Sequence, residues 1–505
     1  MHILSREEMY ALDKYTIEKI GIPGKELMEN AGKGCSEFIR KNLLQSESKI
    51  AIFCGSGNNG GDGFVIAKYL KKWGYSPTIF LVGNPEKMSP ETLGNFNLCE
   101  DLNIEILHFQ NLETWNDFNI SLSYFDLIVD AIFGVGFKGV VRGWLAQLIE
   151  EINNSGKTVV AVDIASGIDA NTGQAEIAVK ADYTLTMAAY KYGHFIGKGR
   201  EKSGFVQIID IGIPKKLYRK FPPKASLVTE KTVKYPRRSP FAHKGEFGRV
   251  GIIAGSPGFT GAAIMASRAA LRAGAGLITL FHPSTPELNI IFESQLLEVM
   301  TFAIPKNDEN HIDYDKLWNK LSTMDVLLVG PGIGTAENTA NFIETIFRNW
   351  TKPLVIDADA INIIAQHPKM LNLISEKPVL LTPHIGEFSR LINKNIEEIL
   401  TNSIEEVEKF TKKHKCSILL KSSTSIFSDG KSLVFNISGN DGLATGGSGD
   451  VLSGIIISFL AQKLSIKDAA VAASFLMGKT AEKLAKFRKT ASIIPSDIIE
   501  NIFKN

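Results

Sequence analysis

At 505 residues the chain exceeds one ordinary hydrophobic core, so two or three domains are expected. Apolar residues make up 44% and charged residues 22%, and a net charge of +2 without sustained basic or acidic runs gives no electrostatic case for nucleic acid or a membrane surface. Four scattered cysteines without a C-x-x-C pair, no apolar h-region at the N-terminus and no run of the roughly 18–20 apolar residues that span a bilayer point to a cytoplasmic protein without structural zinc.

Residues 6–45 carry helical periodicity broken at Gly21-Ile22-Pro23-Gly24, which predicts two helices. A buried strand, 49–54, then enters Gly55-Ser56-Gly57-Asn58-Asn59-Gly60-Gly61-Asp62-Gly63, with a helix predicted from Phe64 to Trp73. The spacing Gly55-x-Gly57-x-x-Gly60 matches the dinucleotide fingerprint in its strand–turn–helix setting. The next strand, 78–83, ends in glycine instead of the acidic residue that holds a ribose, which disfavours a standard NAD-dependent dehydrogenase. Asn58, Asn59 and Asp62 add side-chain oxygens that suit a pyrophosphate with a hard cation. Two further strands end in Asp130-Ala131-Ile132-Phe133-Gly134 and in Asp163-Ile164-Ala165-Ser166. Ligands collect at the carboxyl ends of parallel strands, so three such ends outline one crevice.

Residues 216–242, rich in Lys, Arg and Pro, are expected to connect domain 1–215 to domain 243–505. In the second domain strands again alternate with helices, and they enter Gly330-Pro331-Gly332-Ile333-Gly334, Asp357-Ala358-Asp359, Thr382-Pro383-His384-Ile385-Gly386-Glu387 and Lys421-Ser422-Ser423-Thr424-Ser425. His384 is readable as a helix-cap neighbour or as a ligand contact, and Lys421 as a phosphate contact or an edge lysine. The densest signal is Gly439-Asn440-Asp441-Gly442-Leu443-Ala444-Thr445-Gly446-Gly447-Ser448-Gly449-Asp450, which leads into an apolar helix, 451–460. Bare amides at a helix N-terminus form an anion site, and Asp450 stands where it can take a proton from a hydroxyl attacking phosphate.

Gly447-Ser448-Gly449-Asp450 resembles the hallmark of the ribokinase-like superfamily. The Gly330–Gly334, Ile356–Ala360, Thr382–Glu387 and Lys421-Ser422 stretches look like ADP/ATP-dependent NAD(P)H-hydrate dehydratases, and Gly57–Gly63 with Asp130–Gly134 resembles NAD(P)H-hydrate epimerases. In this order the two are similar to the bifunctional NAD(P)H-hydrate repair family. The resemblance implies an α/β chain of two doubly wound domains, a Rossmann-like three-layer one followed by a ribokinase-like one.

It further implies that Asn58, Asn59, Gly60, Gly61 and Asp62, with Gly134, Val135, Gly136, Phe137, Lys138, Gly139 and Val140, hold the hydrated dinucleotide. Asp163 would meet its reacting end and help move the proton there, and Asn59, Asp130 and Ser166 would coordinate K+. In the second domain Gly332, Gly334, Pro383, His384, Ile385, Gly386, Glu387, Phe388, Ser389 and Asp450 would bind the hydrate. Lys421, Ser422, Ser423, Thr424, Ser425, Asn440, Asp441, Gly442, Leu443, Ala444, Thr445, Gly446, Gly447, Ser448 and Gly449 would bind ADP or ATP with Mg²⁺. Ala165 and Ile385 stand where the family patterns have Pro, and Phe259 where they commonly have Tyr. A homo-oligomer is the expected assembly. The alternatives are a kinase of a small alcohol such as a vitamin precursor, and a non-catalytic NAD-binding module in the first half.

Overall fold

The computed structural model describes residues 1–117, 121–309 and 311–504. The chain divides into two compact units, Met1–Ala225 and Ser226–Asn505. The basic stretch read as a connector contains the short helix Leu217–Lys220 and the strand Ala225–Leu227.

In the first unit seven parallel strands lie in the spatial order Glu105–Phe109, Ser76–Val82, Lys49–Gly55, Leu127–Ala131, Thr158–Val162, Tyr183–Met187, Phe205–Ile209. Both faces are covered, because alternate residues of one strand feed two cores. Ile50, Ile52 and Cys54 join the cluster containing Ala31, Phe64 and Leu70, while Ala51 and Phe53 join Trp115, Leu148 and Ile152. That explains the unbroken apolar runs in the sequence, since a parallel strand buried on both sides has no polar face.

The second unit is built the same way. Its parallel strands run Met300–Ala303, Leu277–His282, Arg249–Ile253, Val326–Val329, Leu354–Ile356, Val379–Leu381 and Ser417–Leu420, and Ser425–Ser428 and Leu433–Asn436 continue the sheet antiparallel. The helix Ser448–Ala461 is buried along its whole length after Asp450, as an all-round apolar helix must be. It packs on Thr260–Arg272 so closely that a methyl group at Gly454 would collide with the Ala266 carbonyl. Among the described residues no helix is long and apolar enough to cross a membrane.

Candidate active sites

In the first unit the strands ending at Gly55, Ala131 and Val162 are neighbours, so their loops converge as the sequence implied. They wall a cavity of about 830 Å³ with Met9, Tyr10 and Asp13 from the helix Arg6–Tyr15, and with Lys191. Of the predicted contacts, Asn58, Asn59, Asp62, Gly134, Val135, Gly136, Phe137 and Asp163 line it. Gly60 and Gly61 do not, and Lys138, Gly139 and Val140 lie beyond its wall.

The predicted glycine loop is shorter than the sequence suggested. The helix begins at Asn58 and runs to Lys72, so Gly60, Gly61 and Gly63 lie inside its first turns. Their use is close packing: a methyl at Gly60 would collide with the Gly55 carbonyl oxygen, and one at Gly63 would sit 2.6 Å from Cys54 Sγ. Helix propensity lost at glycine is outweighed by the approach it permits between helix and strand.

Asp163 is held in a strained, left-handed conformation with φ 65°. Its Oδ1 accepts from the Lys191 ammonium, from Thr186 Oγ1 at 3.2 Å and from the Met187 amide at 3.3 Å, while Oδ2 accepts from the Val135 amide at 3.3 Å. Burial would raise its pKa, but the Lys191 charge and hydrogen bond overcome this and hold it below the usual carboxylate value. Lys191 is itself wholly buried and also donates to Thr186 Oγ1 at 2.8 Å and the Met187 carbonyl at 3.0 Å. His194 completes the clamp. Its Nδ1 accepts from the Lys191 amide at 3.1 Å, so Nε2 carries the proton given to the Asp163 carbonyl at 2.9 Å. Burial, then the Lys191 charge, push its pKa down to about 4, which keeps it neutral.

Asn59, Asp130 and Ser166 converge around Phe133. Ser166 Oγ donates to Asp130 Oδ1 at 2.6 Å and accepts from the Phe133 amide at 2.8 Å, and Asn59 Nδ2 donates to the Phe133 carbonyl at 3.0 Å. Asn59 Oδ1 is buried without a hydrogen-bond partner. An orphaned oxygen beside a buried carboxylate, a hydroxyl and a carbonyl is a donor set that fits a hard cation.

Sequence reasoning missed Lys191, His194 and Asp13. Asp13 follows Met9 by four positions on a helix face that buries Met9, Leu12 and Thr16, and a carboxylate on that stripe was the available signal.

In the second unit Asp450 occupies the first turn of Ser448–Ala461, behind Gly447, whose φ of 94° suits only glycine. A methyl group on Gly449 would come 3.3 Å from Lys421 Nζ, so a side chain there would crowd the lysine. Lys421 donates to Asp357 Oδ1 at 2.8 Å and stands 4.0 Å from Glu387 Oε2. Asp357, which is fully buried, also accepts from Ser453 Oγ and from the Ala358 amide at 2.9 Å. Burial and then the neighbouring Asp357 carboxylate push the pKa of Asp450 up to about 7, with Lys421 opposing and Asp359 and Glu387 adding. The edge-lysine reading of Lys421 gives way to an ion-paired one at the centre of this cluster.

His384 caps the helix Ile385–Ile392: its Nδ1 accepts from the Gly386 amide at 2.9 Å and the Glu387 amide at 3.3 Å, and Glu387 Oε2 accepts from the His384 amide at 2.8 Å. The Lys421 amide donates to the Pro383 carbonyl at 2.8 Å, which joins this cap to the lysine. Gly334 donates its amide to Asp359 Oδ2 at 2.9 Å, and Gly332 accepts from Ser256 Oγ at 2.8 Å. Ala444, Thr445 and Gly446 form an exposed rim, whereas Leu443 packs on the core. Asn440 is spent internally, donating to the Ala481 carbonyl at 2.9 Å and accepting from the Gly442 amide at 3.0 Å. In the Lys421–Ser425 turn Ser422 Oγ donates to the Thr424 carbonyl at 2.6 Å, and Ser423 is exposed.

Phe388 and Ser389 point their side chains away from this cluster. Phe388 is entirely within the core against Phe410, and Ser389 Oγ donates to the Lys394 carbonyl at 2.6 Å, so neither side chain reaches the cluster. The three departures leave the backbone intact. Ala165 is buried in a turn closed by the Ile168 amide at 3.1 Å, Ile385 opens its helix, and Phe259 precedes the helix Thr260–Arg272 with its side chain exposed.

The family model described as NAD(P)H-hydrate dehydratase matches residues 250–504, and the one described as YjeF-related protein N-terminus matches 24–193. A bifunctional NAD(P)H-hydrate repair enzyme from Moorella thermoacetica is 34% identical over 510 residues, covering 99% of this chain and 96% of its own length. The enzyme of the same name from Escherichia coli is 32% identical over 498 residues, covering 97% and 91%. Among solved structures, a ribokinase-like superfamily protein from Enterococcus faecalis is 27% identical with a TM-score of 0.49, covering 55% of this chain and 94% of that one. The chain belongs to the bifunctional NAD(P)H-hydrate repair enzyme family.

Proposed function

We propose that the Met1–Ala225 unit interconverts the R and S forms of hydrated NAD(P)H and that the Ser226–Asn505 unit dehydrates the S form to NAD(P)H at the expense of ADP or ATP. The observation that carries the second half is the placement of Asp450, a half-buried carboxylate in the first turn of a helix whose preceding amides are bare.

Asp450 takes the proton of the hydrate's C6 hydroxyl as that oxygen attacks the terminal phosphorus of the nucleotide. The Gly446, Gly447 and Gly449 amides meet the charge that develops on the phosphoryl oxygens, the Ser448 amide already donating to the Thr445 carbonyl at 3.2 Å. Lys421, paired to Asp357, offers a positive charge within the same cluster without being free to wander. The ring nitrogen's lone pair then expels phosphate from C6, and loss of a C5 proton gives the dihydronicotinamide. Among the described residues no group of three His, Cys, Asp or Glu side chains is set to hold a metal, so Mg²⁺ would be held mainly by the nucleotide phosphates, whose charge it offsets when bound. In the first unit Asn59, Asp130 and Ser166 would hold K+, a fixed positive charge in the crevice that takes the dinucleotide.

Asp450→Ala should lower nucleotide-driven NADH recovery from the S hydrate by about 10²–10⁴-fold, the usual worth of a positioned base. Recovery at the wild-type rate would remove Asp450 from the mechanism. Accumulation of a stable phosphorylated alcohol in place of NADH would favour a kinase.

A further inference from the structure

Epimerisation at C6 needs a group that can give a proton to the hydroxyl and take it back, and Asp163 is poorly suited to giving one. Its Oδ1 is occupied by Lys191, Thr186 and the Met187 amide and its Oδ2 by the Val135 amide, so it is held as a carboxylate. Asp13 presents the opposite environment. It lines the same cavity of about 830 Å³, and its Oδ1 is buried with no hydrogen-bond partner. We infer that Asp13 is the acid that protonates the C6 hydroxyl of the hydrate in the epimerase unit, with Asp163 held ionised in the same cavity.

The inference rests on the epimerase reading of this unit. The Asp13 proton passes to the hydroxyl as the C6–O bond breaks, and the oxygen leaves with the bonding pair as water. The ring nitrogen's lone pair forms the C6=N bond. Asp163, fixed by Lys191, stabilises the resulting cation. Water then adds to C6 from either face, the C6=N pair returns to nitrogen, and the proton returns to Asp13. No oxidant or co-reactant is consumed.

Burial pushes the Asp13 pKa up to about 7, with Lys191 opposing and Asp163 adding to the rise. Two carboxylates pushed apart in one pocket is how acid and base roles are divided. The other groups facing Asp13 are Asp62, also raised by burial, Tyr10 on its own helix, and Tyr218.

The test is epimerisation of resolved R hydrate by the full chain without nucleotide, followed by chromatography across pH. Wild-type kcat/KM should fall above pH about 7 as Asp13 loses its proton. Asp13→Asn should lower kcat by about 10²–10⁴-fold with KM little changed and should abolish the descending limb, while Asp13→Glu restores part of the rate. Asp62→Asn should retain the limb. The inference is overturned by a wild-type rate and limb in Asp13→Asn, or by loss of the limb in Asp62→Asn alone. Should Asp13→Asn not fold, a wild-type profile without the limb overturns it equally. A wild type that does not interconvert the epimers sinks the epimerase reading itself, and the inference with it.

Discussion

Two aspartates with the same displaced pKa of about 7 are asked to do opposite things. Asp450 must be ionised to accept a proton, so dehydration should rise with pH through about 7, whereas epimerisation should decline over the same interval as Asp13 deprotonates. Measured on one preparation, the two profiles should cross. Lys421 opposes the rise at Asp450, so Lys421→Met should move the ascending limb of kcat to higher pH in addition to weakening nucleotide binding. A limb that stays in place would mean that Lys421 does not act on Asp450. Among individual residues, those inside consecutive motifs were legible and those brought in by folding were not. Asp450, Asp163 and Asn59 stand in recognisable strings. Asp13 and Lys191 come from a helix and a strand far apart in the chain, and no local string marks either.

At the level of elements, strand ends were readable because a parallel strand covered on both faces shows as a bounded apolar run. Helix starts were less so. Gly60 to Gly63 read as loop because glycine is a poor helix former, yet contact with Gly55 and Cys54 requires a residue without a side chain. Gly60→Ala should therefore destabilise the first unit by roughly 1–3 kcal/mol or more and abolish epimerisation, because the colliding atom is backbone in a central strand. Gly57→Ala has open space around it and φ of −88°, and should cost no more than about 1 kcal/mol. Urea unfolding of the full chain, read by a probe in the first unit, separates the two; equal costs would refute the packing argument. A helix also divides the window Pro383–Ser389. Consecutive residues project to different sides, so His384 and Glu387 face the Lys421 cluster while Phe388 turns into the core.

At the level of the whole molecule, the α/β alternation and the two glycine-rich strand ends were legible early, because both follow from backbone chemistry that leaves local traces. The chain pairs two units, each with its own carboxylate site. That pairing makes a prediction neither unit makes alone. With a mixture of R and S NADH hydrates and excess ADP or ATP, reduced nicotinamide followed by absorbance should reach complete conversion with the wild-type chain. Asp13→Asn should stop near half on the timescale of dehydration, and Asp450→Ala should recover almost nothing while still interconverting the epimers. A wild-type plateau at half, or full conversion by Asp450→Ala, would contradict the account.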